Sequence, residues 1–230
     1  MNKSILLKNR PKGKPALSDF EITEIEKPSP KDGEILLQAK YISVDPYLRG
    51  RMRDEESYIP PFELNKPIES MLVAEVIESK NKDFKTGDVV SGMLKWELFQ
   101  THTGENLNKI DTNLAKPSAY LGILGLTGLT AHLALKHIGK PEKGETLVVS
   151  GAAGAVGSVA GQIGKIKGCR VVGIAGSDEK IDHIKEKFGY DAGINYKTTE
   201  NMQKAIEKNC PDGVDVYFDN VGGETLDAVM

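Results

Sequence analysis

The sequence is poor in cysteine, histidine and aromatic residues. It has no long apolar run and no strong charge bias. Its 230 residues include two cysteines, four histidines and 6% aromatics, with a formal net charge of −3. Two cysteines, Cys169 and Cys210, do not make a disulfide-stapled scaffold and point to a reducing, cytoplasmic compartment. No Cys-x-x-Cys pair occurs, and His102, His132, His137 and His183 are scattered. Catalytic zinc needs about three N, S or O ligands converging on an open position, so no metal site is expected. No apolar stretch approaches the roughly 20 residues of a membrane span. The start, Met1 to Lys8, carries too short an apolar stretch for a secretory signal. The small net charge gives no electrostatic case for nucleic acid. Lys80, Lys82 and Lys85 are mixed with acids and read as a solvated face.

What remains is an ordinary globular composition, 39% hydrophobic and 27% charged, long enough for two cores. The first half is punctuated by Pro11–Pro15 and Pro28–Gly33, which read as turns. Strands are expected at 5–7, 20–25, 34–44, 71–79 and 89–93, with the β pattern continuing over 96–103. Gln38 and Lys40 alternate with Leu37, Ala39 and Tyr41, which predicts one face of the third strand in solvent. Residues 54–66, with Pro60 and Pro61, read as a loop. Short strands with regular turns predict a mostly β, barrel-like unit. From about residue 120 the pattern changes. Thr127-Gly128 starts a helix over 129–138, and from residue 147 onward strands alternate with helices, which implies βαβ units and a parallel sheet. The expected domains are therefore 1–119 and 120–230.

The second half is organised around Leu147 to Gly157. An apolar run ends at Ser150, and glycines follow at 151, 154 and 157; Val159, Ile163 and Ile166 then keep helical spacing. This is strand, tight turn, helix. Such a turn either serves close packing alone or brings backbone N–H groups to an anion at a helix N-terminus. The dinucleotide fingerprint G-x-G-x-x-G falls on Ala152, Gly154 and Gly157, with alanine in the first place. Ala152, Gly154, Ala155, Val156 and Gly157 are thus the candidate pyrophosphate cradle.

Several strings resemble a known family. Ser150-Gly-Ala-Ala-Gly-Ala-Val-Gly-Ser158 followed by Gly161 to Gly168 resembles the medium-chain dehydrogenase/reductase superfamily. Ala175 to Lys180, Asn195-Tyr-Lys197, Phe218 to Gly223 and Val44 to Arg49 narrow the likeness. They resemble its zinc-free branch of prostaglandin reductases, leukotriene B4 12-hydroxydehydrogenases and alkenal/one double-bond reductases, including curcumin reductase-like enzymes. The resemblance implies an α/β protein: an N-terminal GroES-like β-barrel domain, then a doubly wound parallel Rossmann domain. A full doubly wound domain has six strands in the order 3-2-1-4-5-6. The sequence supplies four, so the domain is expected to be C-terminally truncated, with a sheet edge and an apolar face left uncovered.

The resemblance implies NADPH as cofactor, a small apolar enone or enal as substrate, and hydride transfer to the β-carbon of the C=C bond. The full-length protein is expected to be a homodimer. It places 2′-phosphate contacts on Lys180 and Tyr196 and a further cofactor contact on Asn220. The residues themselves leave some readings open. Asp178 stands where an NAD enzyme places its ribose-binding acid, yet Asp178 or Ser177 equally suits a helix cap. Gly176 and Ser177 leave room for a 2′-phosphate, and Lys180 supplies a cation. Thr127 and Gly128 are either cofactor contacts or an N-cap with close packing. Tyr47, after Pro46, is either a core tyrosine or the catalytic-side group of the substrate cleft; Arg49 is read as structural. A quinone reductase with the same cofactor site and a non-catalytic nucleotide-binding chain are the alternatives.

Overall fold

The computed structural model describes residues 1–57 and 59–230. Tyr58, inside the loop expected over 54–66, lies outside the described residues. The chain divides into two compact units, Met1–Leu121 and Gly122–Met230.

The first unit is antiparallel β. Strands β1 (Asn2–Leu7) and β2 (Phe20–Ile25) pair with each other. A five-stranded sheet runs in the order β6-β3-β4-β5-β7, from β3 (Ile35–Ile42), β4 (Glu69–Ser79), β5 (Val89–Lys95), β6 (Phe99–His102) and β7 (Asn108–Lys109). β1 is stitched to the chain before β6: Ile5 N–H donates to the Trp96 carbonyl at 2.9 Å, and Leu98 N–H to that of Lys3 at 2.9 Å. Two irregularities in the β3–β4 ladder, at Leu36/Leu37 and Ala39/Tyr41, give the local bend that curls such a sheet. They also end the expected alternation. Ile35, Leu36 and Leu37 are buried in succession, whereas Tyr41, expected inside, is exposed beyond the second irregularity. Ile35, Leu37, Leu72, Ala74, Val76, Val90 and Leu94 form the core of this unit. A short helix, α1 (Tyr47–Arg51), follows β3.

The second unit opens with helix α2 (Leu126–Ala134), which widens into a π-type turn over Leu135–Gly139 and stops at Lys140, whose φ of 43° is left-handed. It starts earlier than the sequence suggests, with Gly125 at its N-cap. Four parallel strands follow: β8 (Thr146–Ser150), β9 (Arg170–Ala175), β10 (Ala192–Asn195) and β11 (Val216–Phe218). Their order is β10-β9-β8-β11, which is the 3-2-1-4 portion of a doubly wound sheet. Helices α3 (Ala155–Ile166), α4 (Asp178–Phe188), α5 (Met202–Asn209) and α6 (Gly223–Val229) connect or follow them. All five residues of β8 are buried, as a parallel strand covered on both faces requires. Burying each of Leu147, Val148 and Val149 contributes about 1.5–3 kcal/mol.

The buried face of α3 differs from its apolar spacing. Gly157, Ala160, Gly161 and Gly164 are its buried residues, while Ile166 is 85% exposed. Small residues let the helix lie directly on the sheet: a Cβ at Gly164 would stand 2.6 Å from Leu147 Cδ2. Among the described residues, no helix is long and apolar enough to cross a membrane.

Candidate functional site

A cleft of about 350 Å3 opens in the second unit, where β8 and β9 end. One side is the turn from β8 into α3. Gly151 takes φ 57°, a left-handed backbone that only glycine adopts without strain. The turn closes through Gly154 N–H on the Gly151 carbonyl at 2.8 Å. Gly154 is the N-cap of α3 and brings no side chain to it. Among the described residues, nothing accepts from the N–H groups of Ala155, Val156 and Gly157. An uncapped twelve-residue helix thus presents free donors and the positive end of its dipole beside the cleft.

The five cradle candidates divide by duty. Gly154 and Ala155 are exposed at the helix start, and Val156 is half-buried against the core. Ala152 is fully buried, and its N–H is spent on the Ile174 carbonyl at 3.1 Å. Gly157 is buried as well; a Cβ there would lie 2.8 Å from Ala152 Cα and press on the Gly151 carbonyl. Ala152 is therefore corrected from a ligand contact to a packing residue. Gly157 lets helix and strand touch, the third glycine's part in the fingerprint. Gly151, outside the candidate set, does the turning.

The other end of the cleft is Gly176, Lys180, Tyr196 and Lys197. Tyr196 N–H donates to the Ala175 carbonyl at 3.1 Å, which sets its ring against Gly176. Ser177 caps α4, accepting from Lys180 N–H at 3.3 Å, and so places the lysine in the first helical turn. Asp178 accepts from Asn195 Nδ2 at 2.8 Å and does not line the cleft, which favours its structural reading over ribose binding. Both charged residues of the cleft lining are lysines, Lys180 and Lys197.

Its remaining wall comes from the chain after β11. Asn220 N–H donates to Ser150 Oγ at 2.8 Å and Asn220 Nδ2 to the Ser150 carbonyl at 2.9 Å. The amide thus holds the end of β8, over Gly151, whose Cβ would stand 3.4 Å from that of Asn220. Asp219 Oδ1 accepts from Ser150 Oγ and Tyr217 Oη, each at 2.9 Å, and from the N–H groups of Val221 and Gly222, each at 3.0 Å. Desolvation pushes the Asp219 carboxyl up, but these four donors outweigh it and hold the group at about 2. Desolvation, with Asp219 adding to it, pushes Tyr217 up to about 12. Ser150, Gly151, Lys197, Val221 and Thr225 all line the cleft and were missed by motif reading. Ser150 and Gly151 close the apolar run that opens the glycine turn, and Lys197 and Val221 sit inside the family-like strings, so only Thr225 leaves no trace in the sequence.

Thr127 and Gly128 stand apart from this lining. Thr127 Oγ1 donates to the Gly122 carbonyl at 3.0 Å and Gly128 N–H to the same oxygen at 3.1 Å. Gly128 is buried and a Cβ there would collide with the Ile123 carbonyl. Both bonds close the 122–128 turn, and Gly125 rather than Thr127 is the N-cap of α2.

In the first unit Tyr47 begins α1. Pro46 precedes it with φ −56°, already suited to a helix start. The ring packs partly on Leu7, Leu48, Met52, Phe62 and Ile68, and Oη lies 4.0 Å from Met93 Sδ. Tyr47 also lines a hollow of about 350 Å3 with Pro46, Gly50, Arg51, Ser57 and Ile59. Arg49 donates to the Pro11 carbonyl at 3.1 Å and to that of Gly13 at 2.7 Å, stapling a turn.

The chain is thus a β unit followed by a doubly wound unit with a Gly-rich turn at an uncapped helix N-terminus, the build of a two-domain oxidoreductase. Residues 3–110 match the family model described as the N-terminal domain of oxidoreductase, and residues 155–230 the one described as zinc-binding dehydrogenase. YfmJ of Bacillus subtilis (strain 168) is 57% identical over 98% of this chain and 66% of its own length. The NADP(+)-dependent 2-alkenal reductase of Nicotiana tabacum is 44% identical over 100% of this chain and 68% of its own. The crystal structure of CurA from Vibrio vulnificus in complex with NADPH superposes with a TM-score of 0.92 at 41% identity, covering 99% of this chain and 67% of that one. This chain belongs to the zinc-free medium-chain dehydrogenase/reductase family that includes that alkenal reductase and the NADPH-dependent curcumin reductase of Escherichia coli (strain K12), which is 42% identical over 100% of this chain and 66% of its own length. It spans about two thirds of the length of the curated relatives it matches. Despite the name of the second family model, no three His, Cys, Asp or Glu side chains come together as a metal site among the described residues.

Proposed function

We propose that the whole protein is an NADPH-dependent reductase of the C=C bond of α,β-unsaturated aldehydes and ketones. The observation that carries the cofactor is the cleft: an uncapped helix N-terminus and a turn of small residues at one end, two lysines and an exposed tyrosine at the other. An anionic dinucleotide fits that layout. Its pyrophosphate would take the N–H groups of Ala155 and Val156, and a 2′-phosphate would take Lys180 and Tyr196. Bound NADPH supplies the hydride. The relatives named for alkenal and curcumin reduction support the acceptor class. An enone suits a site without a metal, because its own carbonyl already polarises the double bond. Tyr47, in its hollow, is the substrate-side group.

The test uses the full-length protein with NADPH and NADH against a 2-alkenal, a 2-alkenone and a quinone. Preference for NADPH with turnover of the enal or enone is the expected result, and Lys180→Ala should reduce that preference about tenfold. Equal use of NADH overturns the cofactor reading. Turnover of the quinone alone replaces the acceptor.

A further inference from the structure

Asp219 is a hydrogen-bonding hub of the second unit, yet it touches the cleft only through what it holds. One of its oxygens, Oδ1, takes four hydrogen bonds. Two come from the sheet, Ser150 at the end of β8 and Tyr217 in the middle of β11. Two come from the backbone of Val221 and Gly222, which has already left the sheet. The carboxylate therefore fastens an exposed loop to two strands. Beyond these two N–H groups Gly222, with φ 74°, turns the chain into α6.

The loop carries Val221, whose side chain is 64% exposed although it lines the cleft. A Cβ at Gly151 would stand 3.7 Å from Val221 Cγ2, so this valine overhangs the bare turn where the helix donors begin. An apolar side chain left open at that spot forms a wall with nothing packed on its cleft side. Besides its bond to Ser150, another lining residue, Asp219 thus bears on the cleft by holding Val221 there.

We propose that Asp219 is a positioning residue for the dinucleotide cleft: through the Val221–Gly222 backbone it sets Val221 as the wall against which the cofactor packs at the Gly151 end. The proposal rests on the cofactor reading above. It concerns only the turn end of the cleft, because Lys180 and Tyr196 at the opposite end share no bond with Asp219. Removing the carboxylate should weaken a ligand that spans the whole cleft. It should spare a ligand confined to the lysine end.

The experiment measures binding of NADPH and of adenosine 2′,5′-bisphosphate to the full-length protein, with thermal unfolding as the check on folding. Asp219→Ala is expected to raise the Kd for NADPH about tenfold, the scale of one or two lost hydrogen bonds, and to leave the bisphosphate within about twofold. Asp219→Asn keeps an acceptor oxygen and should recover most of the loss. Val221→Ala should weaken NADPH similarly, and the double variant should be no worse than the weaker-binding single one, because both act through one contact. Should Asp219→Ala not fold, Ser150→Ala and Val221→Ala carry the same comparison. Equal loss for both ligands, additive losses, or no loss overturns the proposal. Failure of the unaltered protein to bind NADPH overturns the cofactor reading instead.

Discussion

Tyr196 lies flat on the missing side chain of Gly176: a Cβ at residue 176 would stand 2.9 Å from the tyrosine Oη and 3.0 Å from Cε1. The ring is 48% exposed and so rests on the glycine rather than in the core. Gly176→Val should push the ring outward and weaken NADPH binding about five- to tenfold, while unfolding stability moves by about 0.5 kcal/mol or less. A fluorescence titration beside a thermal melt checks this. A large loss of stability with unchanged affinity contradicts it.

Gly157 has no such freedom. Its Cβ would meet backbone, the Gly151 carbonyl and Ala152 Cα, and neither can step aside. Gly157→Ala should cost about 2–4 kcal/mol of stability, in the range of overpacked cores. Chemical denaturation measures it directly, and a loss under about 1 kcal/mol contradicts the clash.

Tyr190 Oη donates to the Gly157 carbonyl at 2.7 Å in a buried setting, and its ring fills the space left by Gly161. Tyr190→Phe should cost about 1 kcal/mol, the worth of one buried hydrogen bond. The pH dependence has a definite sign. Burial raises the Tyr190 phenol above its ordinary value of 10.0, and Tyr217 is raised to about 12. A raised phenol favours the folded state fully below the unfolded value, and that contribution is lost as pH rises from 10 toward 12 and beyond. Stability should therefore fall over this window, and less steeply in a Tyr190→Phe, Tyr217→Phe variant.

The acid limb has the opposite sign. Asp219, held at about 2 against an ordinary 3.8, favours the folded state above pH 3.8, and the contribution is lost as pH falls through 2. Asp191 is also lowered: burial opposes this, but hydrogen bonds from Lys165 and the Val171 N–H prevail. Unfolding titrations should show stability declining from about pH 4 to 2, with a shallower slope for Asp219→Asn. An unchanged slope in that variant contradicts the assignment.

The sheet was legible because a parallel strand buried on both faces must read as an unbroken apolar run, and Leu147–Val149 and Val171–Ile174 do so. The face of α3 was not. Its contact with the sheet is made by glycine and alanine, which carry no hydrophobic signal, whereas Ile166, which carries one, is in solvent. Lys180 and Tyr196 emerged from motif resemblance and do share one end of the cleft. Thr127 and Gly128 matched the motif style but are spent on the Gly122 carbonyl, a bond that residue type does not announce. Asp219 was invisible as a hub because its bonds to Tyr217, Val221 and Gly222 depend on the local turn, and its fourth donor, Ser150, comes from β8, the strand paired with β11.

Gly151 carries the left-handed backbone, so the next position is released from that duty, and Ala152 has turned inward to fill the core between β9 and α3. A search pattern keyed to three spaced glycines rejects this chain at its first letter. The backbone meets the same requirement one residue earlier. A glycine at 151 with a small apolar side chain at 152 suffices for this turn, so a letter pattern fixed on the first glycine overlooks chains that build it.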